Sequence, residues 1–173
     1  MARTNFVKAA RKEQGSCVVC GKPINIGDSY KWVHPRYRQR VVACPNCMIP
    51  YSLISSSKMA AVWDAQNACS KSVSEADSLE DIASELECLA ETAREVSEEY
   101  QEACDNQREY FPDSEVADEN EEKAQNLEEW AATLESEAGS VRDLEEDESC
   151  SSLDDKLEEA CGLAENAIDG CPD

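Results

Sequence analysis

Two short stretches, "CVVCGKP" (17–23) and "CPNC" (44–47), decide how the front of this chain folds. Each sets two cysteines at C-x2-C spacing, and twenty-three residues separate the pairs. A two-residue spacer in a tight turn aims both sulfurs at one ion, and two such turns complete a tetrahedron with metal–sulfur distances near ~2.3 Å. Gly21 directly after the first pair and Pro45 inside the second suit turns that sharp. The expected ligands are therefore Cys17, Cys20, Cys44 and Cys47. Four thiolates select zinc over harder ions, with iron the alternative. A closed four-sulfur shell leaves no open position, so the expected site is structural and not catalytic.

Working outward, "KPINIGDSYKWV" (22–33) reads as two short extended runs around a Gly27–Asp28 turn, which predicts a hairpin between the cysteine pairs. A segment of about fifty residues with so few large apolar side chains cannot fold on its core alone. Structural zinc supplies about 10 kcal/mol or more, enough to change that. In spacing and order, "CVVCGKP", the hairpin and "CPNC" resemble the treble-clef and zinc-ribbon finger families, a likeness that covers residues 15–65. Fingers of that kind are implied to bind nucleic acid or protein, with the four cysteines as ligands. The layout also resembles uncharacterised tailed-phage proteins in which a short basic arm and a "GDSYKW"-like hairpin precede acidic helices. That likeness implies architecture alone.

Charge divides the chain. Residues 1–50 hold nine Lys/Arg and two Asp/Glu, whereas residues 51–173 hold seven against thirty-six, within a total formal charge of −22. Asymmetry of this size predicts two modules with different partners. Around the expected hairpin, "YKWVHPRYRQR" (30–40) interleaves cations and aromatics. Lys31, Trp32, Arg36, Tyr37, Arg38 and Arg40 form a candidate nucleic-acid surface, because cations suit phosphates and aromatic faces stack on unpaired bases. The same residues have intramolecular uses: offsetting the net −2 of a metal tetrathiolate, pairing with acidic helices, or, for Tyr30 and Trp32, forming a small core. Arg3, Lys8, Arg11 and Lys12 extend the basic character along an N-terminal arm. His34, the only histidine, leaves a metal-dependent nuclease short of ligands, so no enzyme is expected.

Beyond residue 50 the rhythm is helical. Residues 52–77 read as an outgoing helix and a Ser-rich joint, with Val62 and Trp63 seating it. Apolar positions then alternate steps of three and four from Leu79 through Ile82, Leu86, Leu89, Ala93, Val96 and Tyr100 to Ala103, which predicts a long helix with a coiled-coil-like seam. Ser78 is its expected cap, and Pro112 ends it. Ala117, Asn120, Ala124, Leu127, Ala131, Leu134, Ala138 and Val141 repeat the pattern, so the two helices should form an antiparallel hairpin. A third segment, Leu153, Leu157, Ala160, Ala164 and Ala167, packs back on the pair and ends near Gly170. The remaining cysteines, Cys69, Cys88, Cys104, Cys150, Cys161 and Cys171, match no zinc spacing and read as buried or half-exposed thiols.

The expected architecture is a zinc-bound β-hairpin finger (1–50), a joint (51–77) and an all-α acidic helical hairpin or three-helix region (78–173). The leading functional expectation is a non-enzymatic zinc adaptor whose finger contacts nucleic acid or a nucleic-acid machine and whose acidic helices bind a basic protein. A DNA-mimic inhibitor of a host DNA-binding protein and an assembly protein of a phage-like particle are the alternatives. For mimicry, a side-by-side pair of such helices presents one net negative charge per ~2.5 Å, against ~1.7 Å in duplex DNA. No stretch has the roughly 18 apolar residues of a membrane span, and no secretory leader opens the chain. The expected location is the cytoplasm, of a host cell if the protein is viral, with virion association left open.

Overall fold

The structure, a computed structural model, describes residues 3–36, 38–146 and 152–172. The chain divides into two compact units, Met1–Ala60 and Ala61–Asp173.

The first unit is a three-stranded antiparallel sheet with strand order β1-β2-β3: β1 (Asn5–Val7), β2 (Tyr30–Val33) and β3 (Val41–Ala43). Phe6 faces Lys31 across one ladder, and Lys31 faces Ala43 across the other. Among the described residues, its core is a small cluster of Ala10, Cys17, Ile24, Tyr30, Val33, Ala43 and Ile49. Tyr30 is thus a core residue, one of the uses the sequence allowed. A core this small is far below what an unaided domain of this length needs. After β3 and the second cysteine pair comes a single turn of helix, α1 (Tyr51–Ile54).

One expectation changes. Residues 22–29 do not pair with 30–33 as a hairpin; the hairpin is β2–β3, closed by residues 34–40. Gly27 does turn, with φ at 92°. Asn25 N–H, however, donates to the Asp28 carboxylate, while Gly27 N–H donates to the Ala10 carbonyl and Ala10 N–H to the Asp28 carbonyl. Those backbone groups are satisfied by the N-terminal segment, so no ladder forms across the turn. The segment read as a basic arm therefore contains an edge strand.

The second unit is helical: α2 (Met59–Ser74, which starts at the boundary), α3 (Leu79–Tyr110), α4 (Glu115–Glu146) and α5 (Leu153–Asp169). α3 and α4, thirty-two residues each, lie antiparallel, since Arg142 near the end of α4 meets Glu80 at the start of α3 and Arg108 meets Asp118. Ser78 caps α3 by accepting from Asp81 N–H at 3.1 Å, and Ser152 caps α5 by accepting from Asp155 N–H. α3 ends at Tyr110, two residues before Pro112.

Every expected seam position of α3 from Leu79 to Tyr100 is buried. The stripe is wider than a coiled-coil seam: Ala83, Ala90, Ser97 and Cys104 add a second row at seven-residue spacing, and Cys104, not Ala103, closes the line. The cause is that α3 touches α5 as well as α4. Small residues bring the helices close enough for Ser97 Oγ to donate to the Ala124 carbonyl at 2.8 Å. α5 docks through Trp130, whose indole N–H donates to the Ala167 carbonyl at 2.8 Å, and Gln66 of α2 donates to the Ile168 carbonyl. Leu153, expected on the α5 seam, is exposed. No helix among the described residues is long and apolar enough to cross a membrane.

All three arginines of this unit span α3 and α4. Arg94 binds Glu135 through both terminal nitrogens and Glu128 through Nε; Arg108 reaches Asp118 and Glu121 at 2.8 Å; Arg142 forks onto Glu80 and Glu87 at 2.5–3.1 Å. Hydrogen bonds from Arg142 hold the Glu80 and Glu87 carboxyls below the usual carboxylate range. A carboxylate with a depressed folded pKa stabilises the fold above its unfolded pKa and loses that contribution as pH falls through the folded one. An Arg142→Gln variant should therefore melt below the wild type near pH 7. Circular-dichroism melts should show the gap narrowing as pH falls below the ordinary glutamate range and closing only once it has passed the depressed folded pKa values and both carboxyls are protonated.

Candidate metal centre

The centre is assembled by two turns set against the sheet. In the first, Cys17 N–H donates to the Lys22 carbonyl at 2.8 Å and Gly21 N–H to the Cys17 carbonyl at 2.9 Å. Gly21 has φ at 71°, a left-handed conformation costly to any residue with a Cβ. Val18 N–H donates to the Val42 carbonyl at 3.0 Å, which ties this turn to β3. The second turn follows β3 at once, closed by Cys47 N–H to the Cys44 carbonyl at 3.2 Å.

These turns bring the sulfurs of Cys17, Cys20, Cys44 and Cys47 within 4.8 Å of one another. Cys20 and Cys44 Sγ lie 3.7 Å apart. Sulfurs at the corners of a tetrahedron with ~2.3 Å bonds stand about 3.8 Å apart, so the cluster has the dimensions of a tetrathiolate site. Cys17 is buried in the core and Cys20 lies at the surface.

Thiols packed this tightly titrate against each other. Burial pushes the Cys17 thiol up, but backbone N–H groups, first those of Cys20 and Cys44, outweigh it and bring its pKa to about 6. The Cys44 N–H lies 3.3 Å from its sulfur. Hydrogen bonding to Cys20, followed by burial, pushes Cys47 up to about 12, and burial leads the rise at Cys44. One thiolate forms readily and makes the next ones harder to form. A divalent cation at the centre removes that conflict, which is what its donor set fits. The four cysteines thus could hold one metal ion, and a four-thiolate donor set suits zinc or iron over harder ions.

The other described cysteines are not part of this cluster. Cys69 and Cys104 are buried, Cys88 is exposed, Cys161 and Cys171 are half-buried, and Cys150 lies outside the described residues. Burial, with Glu85 next, pushes Cys69 up to about 12, and burial likewise raises Cys161. Both are protonated, unreactive thiols at neutral pH.

The candidate nucleic-acid residues divide. Lys31 sits mid-strand on β2, half-buried, while Arg36, Arg38 and Arg40 are exposed on the β2–β3 connection. Tyr37 lies outside the described residues. The Arg40 guanidinium stacks over the Trp32 ring at 4.5 Å, stands 5.6 Å from that of Tyr30 and donates to the Tyr30 hydroxyl at 3.1 Å. Those contacts are an intramolecular use of residues read as a binding surface, worth about 0.5–1 kcal/mol at an exposed cation–π pair. Arg38 Nη1 donates to the Ser52 carbonyl at 2.6 Å. Sequence reasoning passed over Phe6, an exposed aromatic across the ladder from Lys31. A strand of three residues carries too little periodicity to reveal it.

No family model, no curated protein and no solved structure matches this chain.

Proposed function

We propose that the protein is a non-enzymatic zinc-dependent adaptor, with a basic finger that contacts nucleic acid or a nucleic-acid machine and acidic helices that bind a basic protein. The observation that carries this reading is the four-sulfur cluster inside a unit of opposite charge to its neighbour. Residues 1–60 hold ten Lys/Arg and two Asp/Glu; residues 61–173 hold six against thirty-six. A closed tetrathiolate has no coordination position for a substrate, which favours a structural ion over a catalytic one. Within the finger, the second cysteine turn follows a strand and precedes α1 by several residues, which favours a ribbon-like arrangement over a treble clef. The tailed-phage likeness stays an expectation about layout.

The test is equilibrium binding of the full-length, zinc-loaded protein to single-stranded and duplex oligonucleotides across a salt series. Three or four phosphate contacts on a single strand give a log–log slope of about −2 to −3, so affinity should fall roughly 20- to 50-fold between ~50 and ~200 mM salt. Absence of binding at low salt removes the nucleic-acid arm.

A second reading, DNA mimicry, gains support from one feature. The three arginines of the helical unit are engaged across α3 and α4, and residues 61–173 hold six Lys/Arg against thirty-six Asp/Glu, so the surface of this unit stays strongly negative. Under this reading the intact protein displaces DNA from a basic protein, and charge-reversal of outward glutamates abolishes displacement.

A further inference from the structure

The first unit contains a cleft of about 480 Å³ lined by His34, Arg36, Arg38, Ser55 and Ser56, together with Pro35 and Ile54. That volume falls in the range of small-ligand sites, ~300–1,000 Å³. The first five carry side-chain N–H or O–H donors, and no carboxylate is among the described residues that line the cleft. From residue 29 through residue 63 the sequence contains no Asp or Glu, so the segments that build the cleft supply no countercharge of their own. Arg38 is fixed at one edge: Nη1 donates to the Ser52 carbonyl, which uses one of its five N–H donors and orients the planar fork. Ser55 Oγ accepts from Ser57 N–H at 3.1 Å, an arrangement that turns the hydroxyl proton elsewhere.

A lining of guanidinium, imidazole and hydroxyl donors suits a tetrahedral oxyanion with three terminal oxygens better than a planar carboxylate, and arginine forks pair with phosphate in two-pronged geometry. A bridging backbone phosphate presents two free oxygens and one charge. A terminal phosphate presents three oxygens and up to two charges, which uses more of this donor set. We propose that the cleft binds a phosphate monoester, carried by a mononucleotide or by the phosphorylated end of a nucleic-acid strand. For the strand as its source, the inference rests on the nucleic-acid reading above.

The test uses the full-length zinc-loaded protein. Fluorescence anisotropy compares one single-stranded oligonucleotide bearing either a 5′-phosphate or a 5′-hydroxyl, and NMR follows the His34 ring during titration with inorganic phosphate and with adenosine monophosphate. The 5′-phosphate should strengthen binding about 10-fold, the scale of added charge-assisted hydrogen bonds. Arg38→Gln should bring the ratio of the two affinities to about one, with a smaller loss shared by both strands because Arg38 also belongs to the basic surface. Because Arg38 also anchors Ser52, Ser56→Glu is the second variant: it sets a carboxylate in the cleft and leaves that anchor in place, and it should erase the preference too. Saturable His34 shifts with adenosine monophosphate but no end preference assign the cleft to the mononucleotide. Saturable shifts without any strand binding support the cleft and remove the nucleic-acid reading. Equal affinity for both ends, with His34 unmoved by either small ligand, overturns the inference and leaves that reading standing.

Discussion

Chelation of the metal should unfold the first unit and leave the helices of the second intact. The small core of the first unit includes Cys17 itself, and Cys44 and Cys47 pack against it. Removing the ion leaves crowded thiols and a few backbone contacts, such as Val18 N–H to the Val42 carbonyl, between the two cysteine turns. Structural zinc contributes about 10–16 kcal/mol in small fingers, more than the whole stability of an ordinary domain of 5–15 kcal/mol for much of that range. Trypsin reports the outcome directly. Lys22, Lys31, Arg36, Arg38 and Arg40 lie in the first unit, whereas Arg94, Arg108 and Arg142 are engaged across the α3–α4 pair. A strong zinc chelator should accelerate cleavage at Lys31, mid-strand on β2, by about three orders of magnitude or more, act less at the four exposed sites, and leave the second set protected. Cys47→Ser should reproduce this without chelator, and Cys88→Ser, at an exposed position outside the cluster, should not. Acid should act in the same direction, because protons compete for the thiolates. Freshly purified protein without about one metal ion per chain, or a cleavage pattern indifferent to proven metal removal, would refute the assignment.

Features written in neighbouring residues are legible in the amino-acid sequence. The C-x2-C turns, the Ser78 cap, the break at Pro112 and the α3 and α4 seams each depend on spacings of two to four residues. Features set by distant partners are not. β1 is a three-residue strand whose existence depends on β2, twenty-five positions later, and the Gly27 turn looks like a hairpin until its backbone groups are traced to Ala10. Trp130 stands one step before Ala131 on the seam, and its burial follows from α5 arriving on that side of α4. Charge is the subtlest case. Cations beside aromatics read as a binding surface; in the structure Arg40 is laid over Trp32 and Arg38 is held by a carbonyl on α1, the intramolecular uses that the sequence also allowed. The spacing of a cysteine pair determines its geometry; the spacing of an arginine leaves its partner undetermined, because its long side chain reaches several neighbours.

Leu86→Ala and Leu153→Ala should have sharply different effects on the helical unit, although both leucines fall on apolar seams in the sequence. Leu86 is completely buried between α3 and its neighbours, whereas Leu153, at the first position of α5, is 60% exposed. Removing three heavy atoms from Leu86 loses their transfer free energy and opens a cavity. The alanines that line this interface, Ala83, Ala90, Ala131 and Ala138, are already too short to fill it. Two thirty-two-residue helices locked by arginine forks near both ends, one of them on the neighbouring Glu87, collapse poorly around a void at Leu86. The expected cost is about 3–5 kcal/mol, the upper part of the range for leucine truncation. At Leu153 the change removes surface that water already reaches, and the expected effect is within about 0.5 kcal/mol. Urea unfolding followed at the helical band measures both, with an unchanged m-value confirming that the folded state kept its compactness. A loss below about 1 kcal/mol for Leu86→Ala would mean that α3 and α4 do not share the close alanine-lined interface on which the acidic surface is mounted.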